Sequence, residues 1–216
     1  MDQIDTRALS EFTKAIKDIK KGIALCNRDE DIESLIILAK ACFYTGFNNI
    51  SEIYKITSKI ELSNPLCKEE DIKFCSIICV YNGREKEGLE LLFNRCSLSD
   101  SLRDLLFIAT VNKIAKRYTS SILDYKRVLD KSSDNEIIKI VHINLGKIYF
   151  NQSLYQESLS HFYNASQIDK RDDSLKIWIG KNYSALGDRI KARAIWGEVL
   201  ASDQSNVEAK RLLGLM

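Results

Sequence analysis

Residues 139–206 read KIVHINLGKIYFNQSLYQESLSHFYNASQIDKRD and then DSLKIWIGKNYSALGDRIKARAIWGEVLASDQSN. The second string is a rewriting of the first. Leu145, Gly146, Tyr149, Ser158, Phe162, Ala165 and Asp169 return as Ile179, Gly180, Tyr183, Ala192, Trp196, Val199 and Asp203, each 34 residues later (180 − 146 = 34; 196 − 162 = 34). Small residues recur where two helices must approach closely, and large aromatics recur where the space beside a neighbouring unit must be filled. A period of this length marks a stack of supersecondary units, each of which buries its apolar face only against the next.

The pattern resembles the tetratricopeptide repeat, a helix–turn–helix unit of about 34 residues. That family places a small residue after Leu, then Tyr, Ala, an aromatic and Ala. Both copies follow it, with Ser158 and Val199 as mild departures. The family's early Trp is absent, with His142 and Lys176 in its place, and so is the Pro that ends the second helix, with Lys170 and Gln204 there. The resemblance is clear over 139–206 and degenerate over about 32–135. It implies an all-α, right-handed superhelical solenoid of helix–turn–helix repeats.

Composition agrees with long helices. One Pro and nine Gly in 216 residues leave few interruptions, and 45% hydrophobic residues supply a core. The net charge of +2 makes no general demand for nucleic acid or anionic lipid. Charge is mildly uneven: 14 basic and 17 acidic residues in 1–101, against 18 and 13 in 102–216. No apolar run reaches the ~18 residues of a membrane span. The start of the chain, with Asp2 and Asp5 ahead of any apolar run, does not read as a signal peptide, so a cytoplasmic location is expected. Six Cys fit a reducing compartment as buried free thiols.

The remaining chain is read in the same register. Residues 1–30 hold an amphipathic helix, with Leu9, Phe12, Ile16, Ile19, Ile23 and Cys26 on one stripe. It is either a cover for the end of the solenoid or a short partner-binding helix. Residues 31–135 hold three diverged repeats. In the first, Leu35, Leu38, Ala39 and Cys42 face inward, Gly46 turns the chain, and Pro65 follows the second helix. In the second, Cys75, Ser76 and Cys79 take the places of Leu145, Gly146 and Tyr149, and Asn82-Gly83 is the turn. Ser99 or Asp100 is expected to cap the helix that follows. The third has Lys116-Arg117-Tyr118 at its turn, and three extra residues fall within Lys131–Asn135. Residues 207–216 begin another first helix and are expected to cap the array.

Catalytic chemistry finds no foothold. The two His, His142 and His161, stand apart from any nucleophile pattern, and Cys75 and Cys79 fall on core positions with no Cys-x-x-Cys pair. No phosphate loop, nucleophile elbow or His-Glu-x-x-His is present. The expectation is a protein that is not an enzyme and carries no cofactor or metal.

The resemblance implies binding. In this family the first helix of each unit lines a groove through about its second, fifth, ninth, twelfth and thirteenth residues. These are Ile140, Ile143, Lys147, Phe150 and Asn151 in one clear copy, and Ser174, Ile177, Lys181, Ser184 and Ala185 in the other. Lys113 comes from the third diverged repeat, and Glu208 and Arg211 from the last helix. Apolar residues thus alternate with a line of cations, Lys113, Lys147, Lys181 and Arg211. Such a surface suits a protein partner with apolar and acidic anchors. Self-association and occupation of the groove by the chain's own terminus remain open. The family's clamp for chaperone C-termini is not met: Asn144 supplies its middle Asn, but Leu106, Thr110, Ser174 and Trp178 do not fit the flanking places. The expected function is a protein–protein interaction scaffold. The alternatives are a dedicated chaperone for a bacterial secretion or cell-envelope system, or an accessory module of a glycosyltransferase, with nucleic-acid binding last.

Overall fold

The computed structural model describes residues 50–58, 68–96 and 98–215. The expected helix within residues 1–30, the first helix of the first repeat with Cys42 and Gly46, and Pro65 lie outside these residues. The described residues form ten α-helices in chain order and no strand. They are α1 (Ile50–Thr57), α2 (Glu69–Tyr81), α3 (Glu85–Arg95), α4 (Leu102–Ile114), α5 (Tyr118–Lys131), α6 (Asn135–Asn151), α7 (Tyr155–Ile168), α8 (Asp173–Ala185), α9 (Arg189–Ser202) and α10 (Val207–Leu213). Two compact units divide the chain, Met1–Leu98 and Ser99–Met216.

One turn recurs between the paired helices α2/α3, α4/α5, α6/α7 and α8/α9. Its left-handed residue is Gly83 (φ 81°), Lys116 (φ 55°), Ser153 (φ 61°) or Gly187 (φ 89°). In each turn the next residue's N–H reaches back to a carbonyl in the last turn of the first helix. These bonds run from Arg84 to Cys79, Arg117 to Asn112, Leu154 to Tyr149 and Asp188 to Tyr183, all at 2.9 Å. This is the six-to-one closure that ends helices and satisfies their orphan carbonyls. It is what folds each second helix back onto its first.

The paired helices touch at the small positions read from the sequence. A Cβ on Gly146 would stand 2.8 Å from the Phe162 ring, and one on Gly180 would stand 2.2 Å from Trp196 Nε1. At the same level a buried hydroxyl ties the two backbones together. Ser121 donates to the Ala109 carbonyl at 2.7 Å, Ser158 to that of Gly146 at 2.8 Å, and Ser76 to that of Gly88 at 2.6 Å. The Ser76 bond runs in the opposite sense, from first helix to second. The last pair has Ala192 at this place and no such bond.

In the first unit, Ile53, Ile72, Cys75, Ile78, Cys79 and Leu92 are buried. Tyr54 donates to Glu87 at 3.3 Å beneath the Arg84 guanidinium. In the second unit the core runs from pair to pair. Leu105, Ala109, Tyr125, Val128, Val141, Leu145 and Ile148 join α4, α5 and α6. Leu159, Phe162, Ala165, Leu175 and Ile179 join α7 to α8, and Ile177, Ala192, Trp196, Val199 and Ala209 join α8, α9 and α10.

The helix ends depart from expectation at two places. Helix α6 starts at Asn135, capped by the Asp134 carboxylate on the Glu136 N–H at 2.8 Å. The extra residues therefore add a helical turn ahead of Lys139 rather than lengthen a loop. The cap of α4 is Ser101, whose hydroxyl accepts from the Asp104 N–H at 3.2 Å, and not Ser99 or Asp100. Ser99 serves the same corner by donating its hydroxyl to the Asp104 carboxylate at 2.6 Å, while Asp100 pairs with Arg127 and Lys131 of α5. At the end of each clear copy, Asp169 and Asp203 accept from the N–H two residues on (Arg171, 3.1 Å; Ser205, 2.9 Å). These side-chain turns do the work of the missing Pro.

Candidate functional site

Three long side chains reach from one first helix to the next in the second unit. Lys113 of α4 donates through Nζ to Asn144 Oδ1 of α6 at 2.5 Å. Lys147 of α6 holds its Nζ 5.6 Å from the centre of the Trp178 ring of α8. Lys181 of α8 pairs with Glu208 of α10 at 2.8 Å and also lies 4.7 Å from the Trp178 ring centre. The first helices thus share a face on which cations and aromatics alternate.

Trp178 is the hub of this face. Its ring stacks on the buried Phe162 (centroids 5.3 Å apart, planes at 10°) and meets Phe150 edge-on at 5.4 Å. Phe150 in turn meets Tyr155 at 5.3 Å. A half-buried Trp backed by a core Phe is a fixed surface, and its π-face attracts ammonium groups. The 34-residue register could have shown its importance, since Trp178 is the counterpart of Asn144.

The charges here are unevenly matched. Glu208 accepts from both Arg211 and Lys181, and these hydrogen bonds, Arg211's first, hold its carboxyl down at about 2. Lys113 is held below the ordinary lysine range, first by burial and then by the charge of Lys147. Among the described residues, no carboxylate pairs with Lys113 or Lys147. Two other half-buried lysines are paired: Lys139 with Glu136 and Asp169, and Lys176 with Asp173.

The residues expected to line the groove fall into distinct places. Ile140 and Asn151 are exposed, while Lys113, Lys147 and Phe150 are half-buried on the shared face. Ile143 is half-buried and packs against the Leu159–Phe162 cluster. Ile177 is corrected: it is buried in the core among Ala192, Trp196, Val199 and Ala209, because α10 covers it. Lys181 and Arg211 are not free cations, since Glu208 engages both. Lys113 and Lys147 are also not equivalent. Aligning the turns at Lys116 and Ser153 places Lys113 level with Phe150, and Thr110 level with Lys147.

The histidines and the described cysteines sit in packed surroundings. His142 and His161 meet through their Nδ1 atoms at 2.9 Å, and Tyr149 stacks on His161 at 5.3 Å. Burial, helped by His142 and Lys126, pushes His161 down to about 4, and burial also lowers His142. Cys75, Cys79 and Cys96 are buried thiols, and burial followed by the Glu87 charge pushes Cys79 up to about 11. A thiol so protonated is a poor nucleophile. Among the described residues no group of three metal-ligating side chains is assembled, and no helix is long and apolar enough to cross a membrane.

No protein-family model matches the sequence, and no curated protein does. Solved structures do resemble the fold. A tetratricopeptide repeat protein from Parabacteroides merdae superposes with a TM-score of 0.66 at 14% identity, over 97% of this chain and 79% of that one. YrrB, described as a TPR protein with an unusual peptide-binding site, gives 0.51 at 16% identity, over 93% and 96%. A chain of the Cut9–Hcn1 hetero-tetramer of the APC/C gives 0.60 at 14% identity over 96% of this chain, which spans 40% of that longer chain.

Proposed function

From the tetratricopeptide-repeat fold of this chain, we propose that it is a non-catalytic protein-interaction scaffold. It holds a peptide or helix of a partner protein along the shared face of α4, α6, α8 and α10. The single observation that carries the reading is the surface built around Trp178. There Phe150 and Trp178 offer apolar area, and Lys113 and Lys147 offer unmatched positive charge. Exposed Ile140 extends the apolar area. A surface of this composition suits apolar anchors with acidic neighbours. YrrB, of like fold, is described by its peptide-binding site, which favours the same use here.

The test is affinity purification with quantitative mass spectrometry, comparing wild type with Phe150→Ala and Ile140→Asp. A partner that wild type retains and both variants lose at least about tenfold, as truncation of anchor contacts produces, supports the reading. A partner held equally by all three proteins places recognition on another surface and rejects it.

A further inference from the structure

We propose that Lys147, with Lys113 beside it, is the seat for a carboxylate from an acidic segment of the partner protein, at the place where Glu208 sits against Lys181 one repeat later. The inference rests on the proposed scaffold function and names the chemistry of its ligand.

The seat follows from the 34-residue register. Lys147 and Lys181 are equivalent (181 − 147 = 34), and the residue equivalent to Glu208 is Ser174 (208 − 174 = 34). In the later repeat the ninth residue of α8 meets the second residue of the unit that follows, as an ion pair of 2.8 Å beside Trp178. In the earlier repeat the same lysine lies beside the same Trp178 ring. Its would-be partner is Ser174, which is exposed and gives its hydroxyl to its own cap, Asp172, at 2.5 Å. The chain thus shows how this register accommodates a carboxylate, and the described residues supply one at only one of the two sites.

The open site is also the more positive one. Lys113 contributes a second ammonium whose partner among the described residues is the neutral Asn144 amide. Two half-buried ammonium groups without a carboxylate repel each other, and an incoming anion relieves that repulsion. Phe150 packs on the Trp178 ring that Lys147 approaches, and exposed Ile140 stands two turns before Lys147 on α6, so the acidic residue is expected to have an apolar one near it in the ligand. A protein segment offers both; a lone small anion offers only the first.

The discriminating variant fills the seat from within. Ser174→Glu places a carboxylate where Glu208 stands in the next repeat, at an exposed position in the first turn of α8, where the helix dipole favours it. A random peptide library would be selected on the full chain, and the affinities of the selected peptides measured by fluorescence. Circular dichroism would confirm that each variant keeps its helicity. Peptides with Asp or Glu beside an apolar residue are expected. Their affinity should fall roughly tenfold with Ser174→Glu and with Lys147→Gln, as loss of a charge pair does, and stay near wild type with Ser174→Gln. If selected peptides respond to Phe150→Ala but not to Ser174→Glu or Lys147→Gln, the seat is overturned while the scaffold reading stands. If no peptide is selected, or none responds to any of the four variants, both are overturned.

Discussion

Lys116 and Ser153 occupy the left-handed position that Gly83 and Gly187 occupy in the other two turns. Around both glycines a Cβ would meet nothing within 4 Å, so the turn needs its backbone conformation rather than the space. A side chain in that region is strained by about 1–2 kcal/mol, and glycine escapes the strain while losing part of the gain to its freer unfolded chain. Lys116→Gly and Ser153→Gly should therefore each stabilise the fold by about 0.5–1 kcal/mol, read as a higher urea midpoint at unchanged slope. A lower midpoint would mean that the replaced side chains stabilise the turns by contacts of their own. The histidine pair gives a second residue-scale outcome. His161 titrates near 4 when folded and near 6.5 when unfolded. Between those values the unfolded chain binds more protons. The stabilisation is thus whole above pH 6.5 and is lost as pH falls through about 4. Melting temperature should drop between about pH 6.5 and 5, and His161→Gln should flatten that slope. An equally steep slope in the variant would assign the loss to other groups.

At the scale of the helix pair, the Ser hydroxyls and the glycines act at one level but with unequal energies. The carbonyls that Ser121 and Ser158 bond lie inside helices, whose ladder already satisfies them. Ser158→Ala leaves no orphan acceptor and should cost only about 0.5–1 kcal/mol, as Ala192 in the last pair suggests. Gly180→Val drives a methyl group into Trp196 and should cost about 1–3 kcal/mol or more, since the ring is wedged in the core. Chemical denaturation of the two variants side by side checks the order, and a Ser158→Ala loss larger than that of Gly180→Val would refute it. This level of the structure was largely legible in the sequence. The 34-residue register showed which residues are small, which are large and where Asn82-Gly83 turns. What it hid has physical causes. Asn135–Ile138 have no breaker, so nothing marked whether they prolong α6 or form a loop. Ile177 looked like groove because its place in the unit is a groove place; it is core because α10 lies over it. The Lys181–Glu208 pair joins different places in successive units, which a comparison of equivalent positions does not reveal.

At the scale of the whole molecule, stacked units are stabilised by their neighbours, so stability is expected to vary along the chain. Both Trp residues, Trp178 and Trp196, lie in the last helix pair of the second unit, so tryptophan fluorescence, excited selectively over that of the nine Tyr, reports chiefly on that pair. Its outer side is covered by α10, through the buried Ala209 and the partly buried Leu212 and Leu213, and the Glu208 carboxylate ties α10 to Lys181. Removing residues 207–216 uncovers Ile177, Trp196 and Val199 together and should take roughly 2–4 kcal/mol from this pair, the worth of one or two buried Leu side chains. Helices α4 to α7 do not touch the removed cluster, so circular dichroism should retain most of its transition near the wild-type midpoint. Fluorescence, by contrast, should report unfolding at lower urea. Separation of the two transitions in the truncated chain would show that α10 acts locally, as a cover on one pair. Coincident transitions, both shifted, would show instead that the second unit unfolds as one block. In that case the charges on the shared face would be coupled through the whole unit, and a ligand bound at Lys147 would stabilise every helix in it alike.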